Sequence, residues 1–156
     1  MKKNLLGIIC ILSFSLSGFS QNGLALDGVN DYIQTNISNI TGAQNRTIEA
    51  WIKTPNVTSQ EVIVGMGTMP LGTRFTLNVL QGKLRIEIGG GGLNSVTDVD
   101  DNTWHHIAVV FDNSATNKFK LYIDGALDAS GNITAAAVNT AAGSGLSIGR
   151  RNDGVN

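Results

Sequence analysis

The sequence predicts an all-β domain of two stacked antiparallel sheets, and three observations carry that expectation. Glycine is abundant and proline scarce, with 19 Gly against 2 Pro. Gly and Asn tolerate positive φ, so they collect where tight turns join strands. Several segments alternate apolar and polar residues with period two, as half-buried strands in a sheet with one wet face do. No stretch keeps a helical period, and ten or eleven short strands are too many for a single open sheet.

The first twenty residues stand apart from the fold. Lys2 and Lys3 precede an apolar run from Leu5 to Leu16, and Gly18-Phe19-Ser20 puts small side chains at the −3 and −1 positions of a cleavage site. The run is too short to span a bilayer comfortably. Residues 1–20 therefore read as a cleaved export signal, with the mature chain starting at Gln21. Cys10 follows Ile9 rather than a small residue, which argues against lipidation. Cleavage leaves one domain, residues 21–156, without cysteine and so without disulfide or thiolate chemistry. Lys2 and Lys3 leave too, so 11 basic residues become 9 against 12 acidic ones, a formal net charge of −3. Acidity this mild and free of runs argues against nucleic acid or an anionic membrane as partner.

The elements follow in order. Weak strands are expected at residues 24–26 and 31–35. Residues 47–53 alternate with Ile48, Ala50 and Ile52 on one face. A weak strand at 61–66 precedes residues 74–79, where Phe75, Leu77 and Val79 face inward. Leu80-Gln81-Gly82-Lys83 then turns into residues 83–88, with Leu84, Ile86 and Ile88 inward. Gly89 to Gly92 cannot hold a regular strand and predicts a flexible loop, before a weak strand at 95–99. Ile107 to Phe111 is apolar throughout, as a central strand covered on both sides would be. Residues 118–124 put Phe119, Leu121 and Ile123 inward, and Asp124-Gly125 is a strong two-residue hairpin signal into residues 126–129. The Ala/Thr-rich stretch 135–142 reads as a surface crossover, and residues 146–149 as a last weak strand.

Four segments in this order resemble the laminin-G-like, concanavalin A-like jelly-roll family. They are Leu26-Asp27-Gly28-Val29-Asn30-Asp31-Tyr32-Ile33; Thr47-Ile48-Glu49-Ala50-Trp51-Ile52-Lys53; Trp104 to Asp112 running on to Lys120-Leu121-Tyr122-Ile123-Asp124-Gly125; and Leu146-Ser147-Ile148-Gly149-Arg150. The resemblance spans residues 23–150 and implies a two-sheet antiparallel jelly-roll sandwich, usually one module of a larger exported protein. It also implies a Ca²⁺ ion at the sandwich rim in many members, and glycan or protein partners on the concave face or rim loops. The family pattern continues past its Ile-Gly-Arg segment to a further strand, with an Asp-Glu pair near its start. This sequence stops at Asn156 before any such strand, so the expectation is either a truncated domain lacking its final strand or a fold closed differently.

Candidate chemistry is sparse. Retaining glycoside hydrolysis needs two carboxyl groups about 5–5.5 Å apart, but Glu49 and Glu87 lack an acidic residue two positions away. Asp98 and Asp100 fall in a turn leading to Trp104 and read as solvated or capping. His105 and His106 are adjacent on a strand, so their rings point to opposite faces and cannot share one ion. The resemblance makes them the start of a core strand, with one ring beneath Trp104. Gly89–Gly92 lacks the Lys-Ser/Thr and the helix of a phosphate loop. Asp27, Asn30 and Asp31 place three side-chain oxygens within five residues, where the family often holds calcium, a cation that wants many oxygen ligands. The alternative is that Asp27 and Asn30 only shape an Asx turn; Asp153 is a distant further donor. Trp51 and Tyr122 point outward by alternation, free to stack on a sugar or to pack against the sandwich rim. The function expected is a secreted or cell-surface, non-catalytic binding module for a glycan or extracellular protein. A structural or adhesive spacer is the alternative, and a glycoside hydrolase a remote one.

Overall fold

The structure, a computed structural model, describes residues 23–152. Among them are ten strands and no helix: β1 (Ile33–Gln34), β2 (Arg46–Ile52), β3 (Gln60–Gly67), β4 (Arg74–Leu80), β5 (Lys83–Glu87), β6 (Gly92–Asp98), β7 (His105–Phe111), β8 (Phe119–Ile123), β9 (Ala126–Gly131) and β10 (Leu146–Ile148). They form a six-stranded sheet, β1-β10-β3-β4-β5-β6, and a four-stranded sheet, β2-β7-β8-β9. All pairings are antiparallel. This is the two-sheet sandwich that the alternation predicts. The segment 1–20, expected to be an export signal, and Asp153 lie outside the described residues.

The alternating segments bury the faces expected of them. Phe75, Leu77, Val79, Leu84, Ile86 and Ile88 from one sheet meet Ile107, Val109, Phe111, Phe119 and Leu121 from the other, all at most 2 % exposed. At the centre, the ring centroids of Phe111 and Phe119 lie 5.0 Å apart, and Phe75 lies 6.1 Å from Phe111 and 6.3 Å from Phe119. The Arg46 guanidinium caps this cluster 4.9 Å from the Phe75 ring centroid. It also donates to the carbonyl of Gly42 and the hydroxyl of Thr140, so its charge stays hydrogen-bonded while its plane covers the rings.

Two hairpins rest on paired positive φ angles. Gln81 and Gly82 have φ of 51° and 81° between β4 and β5, and Asp124 and Gly125 have the same values between β8 and β9. Both central residues in the left-handed region is the condition for a type I′ turn, whose twist matches the strands it joins.

Four expectations need correction. Residues 24–26 form no strand, because the β1–β10 ladder begins only at Ile33. The Gly89–Gly92 segment is a held turn rather than a loose loop: the Ile88 amide donates to the Gly91 carbonyl at 3.1 Å, and Gly92 opens β6. β7 is central in its sheet but not covered on both faces, since Val110 on the outer side is half-buried. The stretch 135–142 is not wholly superficial. Val138 and Thr140 are buried, and Thr140 exchanges two backbone hydrogen bonds with Gly42, at 2.9 and 3.0 Å.

The small sheet leaves one long edge open. β2 pairs with β7 on one side and with no described strand on the other. Its inward residues Ile48, Ala50 and Ile52 are only half-buried, whereas Val109 and Ile107, opposite the first two on β7, are fully buried.

Candidate functional site

The open edge of β2 borders a groove of about 1250 Å³ between the two sheets. Its floor is apolar, with Ala50 and Ile52 from β2, Ile63 from β3, Val79 from β4 and Ile148 from β10. Two tryptophans line it as well. Trp51 is 63 % exposed and Trp104 is 54 % exposed, and large rings left this open are unusual unless a partner covers them. Three carboxylates, Asp27, Asp31 and Glu61, and one ammonium, Lys53, complete the charged lining.

Alternation along β2 turns Trp51 outward, and the β2–β7 register sets it opposite His106. Directly opposed residues share a face, and the two rings meet with centroids 5.3 Å apart at 54°. The histidine ring therefore packs on Trp51, not beneath Trp104 as the resemblance implied. Trp104 instead stands beside Gly23, where an added Cβ would come within 3.3 Å of its ring.

The loop before Trp104 is fixed by His105. Its Nδ1 lies 2.8 Å from Asp124 Oδ2, and its Nε2 lies 3.2 Å from Asp101 Oδ1. A carboxylate oxygen can only accept, so both contacts are hydrogen bonds only when both ring nitrogens carry protons. The Asp124 bond, seconded by Asp101, holds the imidazole pKa above its ordinary value against partial desolvation. Asp124 and Asp101 are held below the usual carboxylate range, Asp124 chiefly by His105 and Asp101 chiefly by the Thr103 hydroxyl. The adjacent Asn102 amide donates to the Thr54 carbonyl at 3.0 Å, which ties this loop to the groove wall.

The Asp27–Asp31 loop is an Asx turn. Asp27 Oδ1 accepts from the amides of Val29 at 2.8 Å and Asn30 at 3.2 Å, and Asp31 Oδ2 accepts from the Asp27 amide at 3.2 Å. These bonds, that from Val29 first, lower the Asp27 pKa, so the group is anionic at neutral pH. The exposed, all-oxygen donor set of Asp27, Asn30 and Asp31 suits a hard cation in kind. In number it is short: among the described residues no three His, Cys, Asp or Glu side chains converge on a metal position. An ion here would be held by Asp27, Asn30 and Asp31 with water filling the remaining positions.

The groove thus unites Trp51, Asp27 and Asp31 from the sequence reading and adds Trp104 and Glu61. Tyr122 does not join them. It lies half-buried opposite Ala108 and Leu127 on the outer face of the small sheet, the face that Trp51 shares at the β2 edge, but outside the groove lining. Asp98 ends β6 instead of lying in a turn and pairs with the Lys83 ammonium at 2.8 Å, while Asp100 accepts from the Val57 amide at 2.7 Å.

Residues 27–156 match the concanavalin A-like lectin/glucanases superfamily, in its laminin G form. The chain belongs to this superfamily. Two solved structures share its fold. One is a protein from Bacteroides ovatus ATCC 8483, provisionally assigned as carbohydrate binding, with a TM-score of 0.59 and 22 % identity over 76 % of this chain and 34 % of that one. The other is domains LG4-5 of the mouse laminin alpha1 chain, with a TM-score of 0.55 and 16 % identity over 77 % of this chain and 31 % of that one. The chain therefore spans about a third of each. No curated protein matches it. The superfamily's sandwich accounts for the topology, and the groove is where this member differs from a closed sheet pair.

Proposed function

We propose that this laminin G-type domain is a non-catalytic module that binds a glycan in the groove beside β2. The observation carrying the reading is the pair of exposed tryptophans, Trp51 and Trp104, on one groove with hydrogen-bonding carboxylates. Sugar rings present apolar C–H faces that stack on indole, while their hydroxyls donate to carboxylates. The provisional assignment of the Bacteroides ovatus neighbour as a carbohydrate binding protein agrees with it.

A hydrolase would need a carboxyl group with a raised pKa as general acid. Among the described residues, Asp27, Asp101, Asp112, Asp124 and Asp128 are displaced downward, the direction of carboxylates that stay ionised and accept hydrogen bonds. In this reading residues 1–20 direct export, residues 21–156 belong to a larger secreted or cell-surface protein, and calcium seats at Asp27, Asn30 and Asp31. Tyr122 would form a separate contact on the sheet face, open to an extracellular protein partner.

The test is a glycan array followed by titration of tryptophan fluorescence. Binding that quenches fluorescence and is lost in both Trp51→Ala and Trp104→Ala supports the site. Binding that survives both substitutions places the ligand elsewhere, and the absence of any glycan ligand leaves the adhesive or spacer reading. The first residue of the exported protein should be Gln21.

A further inference from the structure

We infer that the groove, when no divalent cation occupies its first loop, selects uncharged oligosaccharides and rejects acidic ones, an inference that rests on the glycan reading above. Two features of the groove point to this class, and neither depends on the other.

The first is extent. A volume of about 1250 Å³ exceeds the ~300–1,000 Å³ that encloses a drug-sized ligand. The groove also runs along a strand edge, with Trp51 contributed by β2 and Trp104 by the loop before β7. Two rings on separate elements can stack on two sugars of one chain, and a single sugar would leave one of them uncovered. The ligand is therefore an oligosaccharide.

The second is charge. Asp27 and Asp31 from the first loop and Glu61 from β3 face the same space, against the single ammonium of Lys53. Asp27 is held ionised by the two backbone amides that its Oδ1 accepts. Glu61 is close to the same loop, its Oε2 lying 3.4 Å from the place a Gly28 Cβ would occupy. A uronate or sulfate in the groove would meet this excess of negative charge, and like charges brought together across a binding site oppose association. Neutral hydroxyls can donate to these carboxylate oxygens without adding a like charge. The recognition element and the rejecting element are then the same atoms, which is how specificity by exclusion is built.

The experiment uses the exported protein with chelator present throughout, so that no divalent cation masks the carboxylates. It is titrated at low and at physiological salt against immobilised pairs of oligosaccharides that share a backbone: methyl-esterified and free-acid oligogalacturonate tetramers, and unsulfated and sulfated chitin-type tetramers. Neutral members should bind at least roughly tenfold more tightly than acidic partners at low salt, with the ratio shrinking as salt screens the carboxylates. The variant Asp27→Asn/Asp31→Asn/Glu61→Gln keeps shape and hydrogen-bond capacity and should narrow that ratio toward one. Acidic members binding as well as neutral ones in the unaltered protein, or a ratio unmoved in the triple variant, would overturn the selectivity while leaving glycan binding in place. No binding to any member of either series would overturn both the selectivity and the glycan reading beneath it.

Discussion

Truncating Phe119 to alanine should cost a large part of the domain's stability. The ring is 2 % exposed and sits on β8 between Phe111 and Phe75, with centroid separations of 5.0 and 6.3 Å. Its removal forfeits the transfer energy of a whole aromatic side chain and leaves a cavity walled by rings from both sheets, which cannot collapse without moving strands. Such truncations cost about 3–5 kcal/mol, and each aromatic pair lost adds ~0.5–1.5 kcal/mol. Against a typical total of roughly 5–15 kcal/mol, Phe119→Ala should leave a domain that is folded but marginal. Urea unfolding followed by tryptophan fluorescence reads the change as a fall in midpoint at constant slope. Leu127→Ala serves as control, because that side chain is 55 % exposed on the outer face and should change stability by less than about 0.5 kcal/mol. A Phe119→Ala loss no larger than the control's would mean that the two sheets do not close on these three rings.

Four further outcomes follow from other parts of the structure. The folded-state pKa of His105 is raised, so its stabilising contribution is complete below the ordinary imidazole value of 6.5 and is lost as pH rises through the folded value. Asp101 and Asp124, being lowered, contribute above 3.8 and lose that contribution as pH falls below it; unfolding curves from pH 4 to 9 should decline on the alkaline side, and His105→Gln should flatten that decline. Gly65→Ala should destabilise by about 1–3 kcal/mol, since the new methyl would sit 2.5 Å from the Arg150 carbonyl oxygen and 3.1 Å from Arg151 Cα; an unchanged melting temperature would contradict the path of residues 150–151 across β3. Calcium should raise the melting temperature through Asp27, Asn30 and Asp31 by mass action, and identical curves in calcium and chelator would leave that loop as an Asx turn alone. Residues 21–156 should self-associate through the β2 edge, which no described strand pairs; a cooperative monomer in sedimentation would count against this.

Much of the fold was legible because period-two patterns encode which side of a strand faces the core. Phe75, Leu77, Phe119 and Leu121 were assigned inward from alternation alone and are buried, and Asp124-Gly125 marked its hairpin by residue type. The short ladders were less legible. β1 and β10 pair over only two positions, and two residues cannot display a period. The site was half legible for a related reason. Trp51 declares its direction through its neighbours on β2, whereas Trp104 precedes a strand and has no alternation to orient it. Glu61 sits one residue into β3, below a register shift between Val62 and Val64, and a bulge breaks the face assignment that would have aimed it at the groove.

The order β1-β10-β3 also sets a schedule for synthesis. Of the described strands β10 is the last made, yet it belongs between the first and third, joining Ile33 to Ile148 and Leu146 to Met66. Until it emerges, β1 has nothing to pair with and β3 shows a bare flank to every other nascent chain nearby. At about 5–20 residues per second, the interval between translating Ile33 and Ile148 is on the order of ten seconds. The larger sheet therefore cannot close between β1 and β3 until residue 148 has been made.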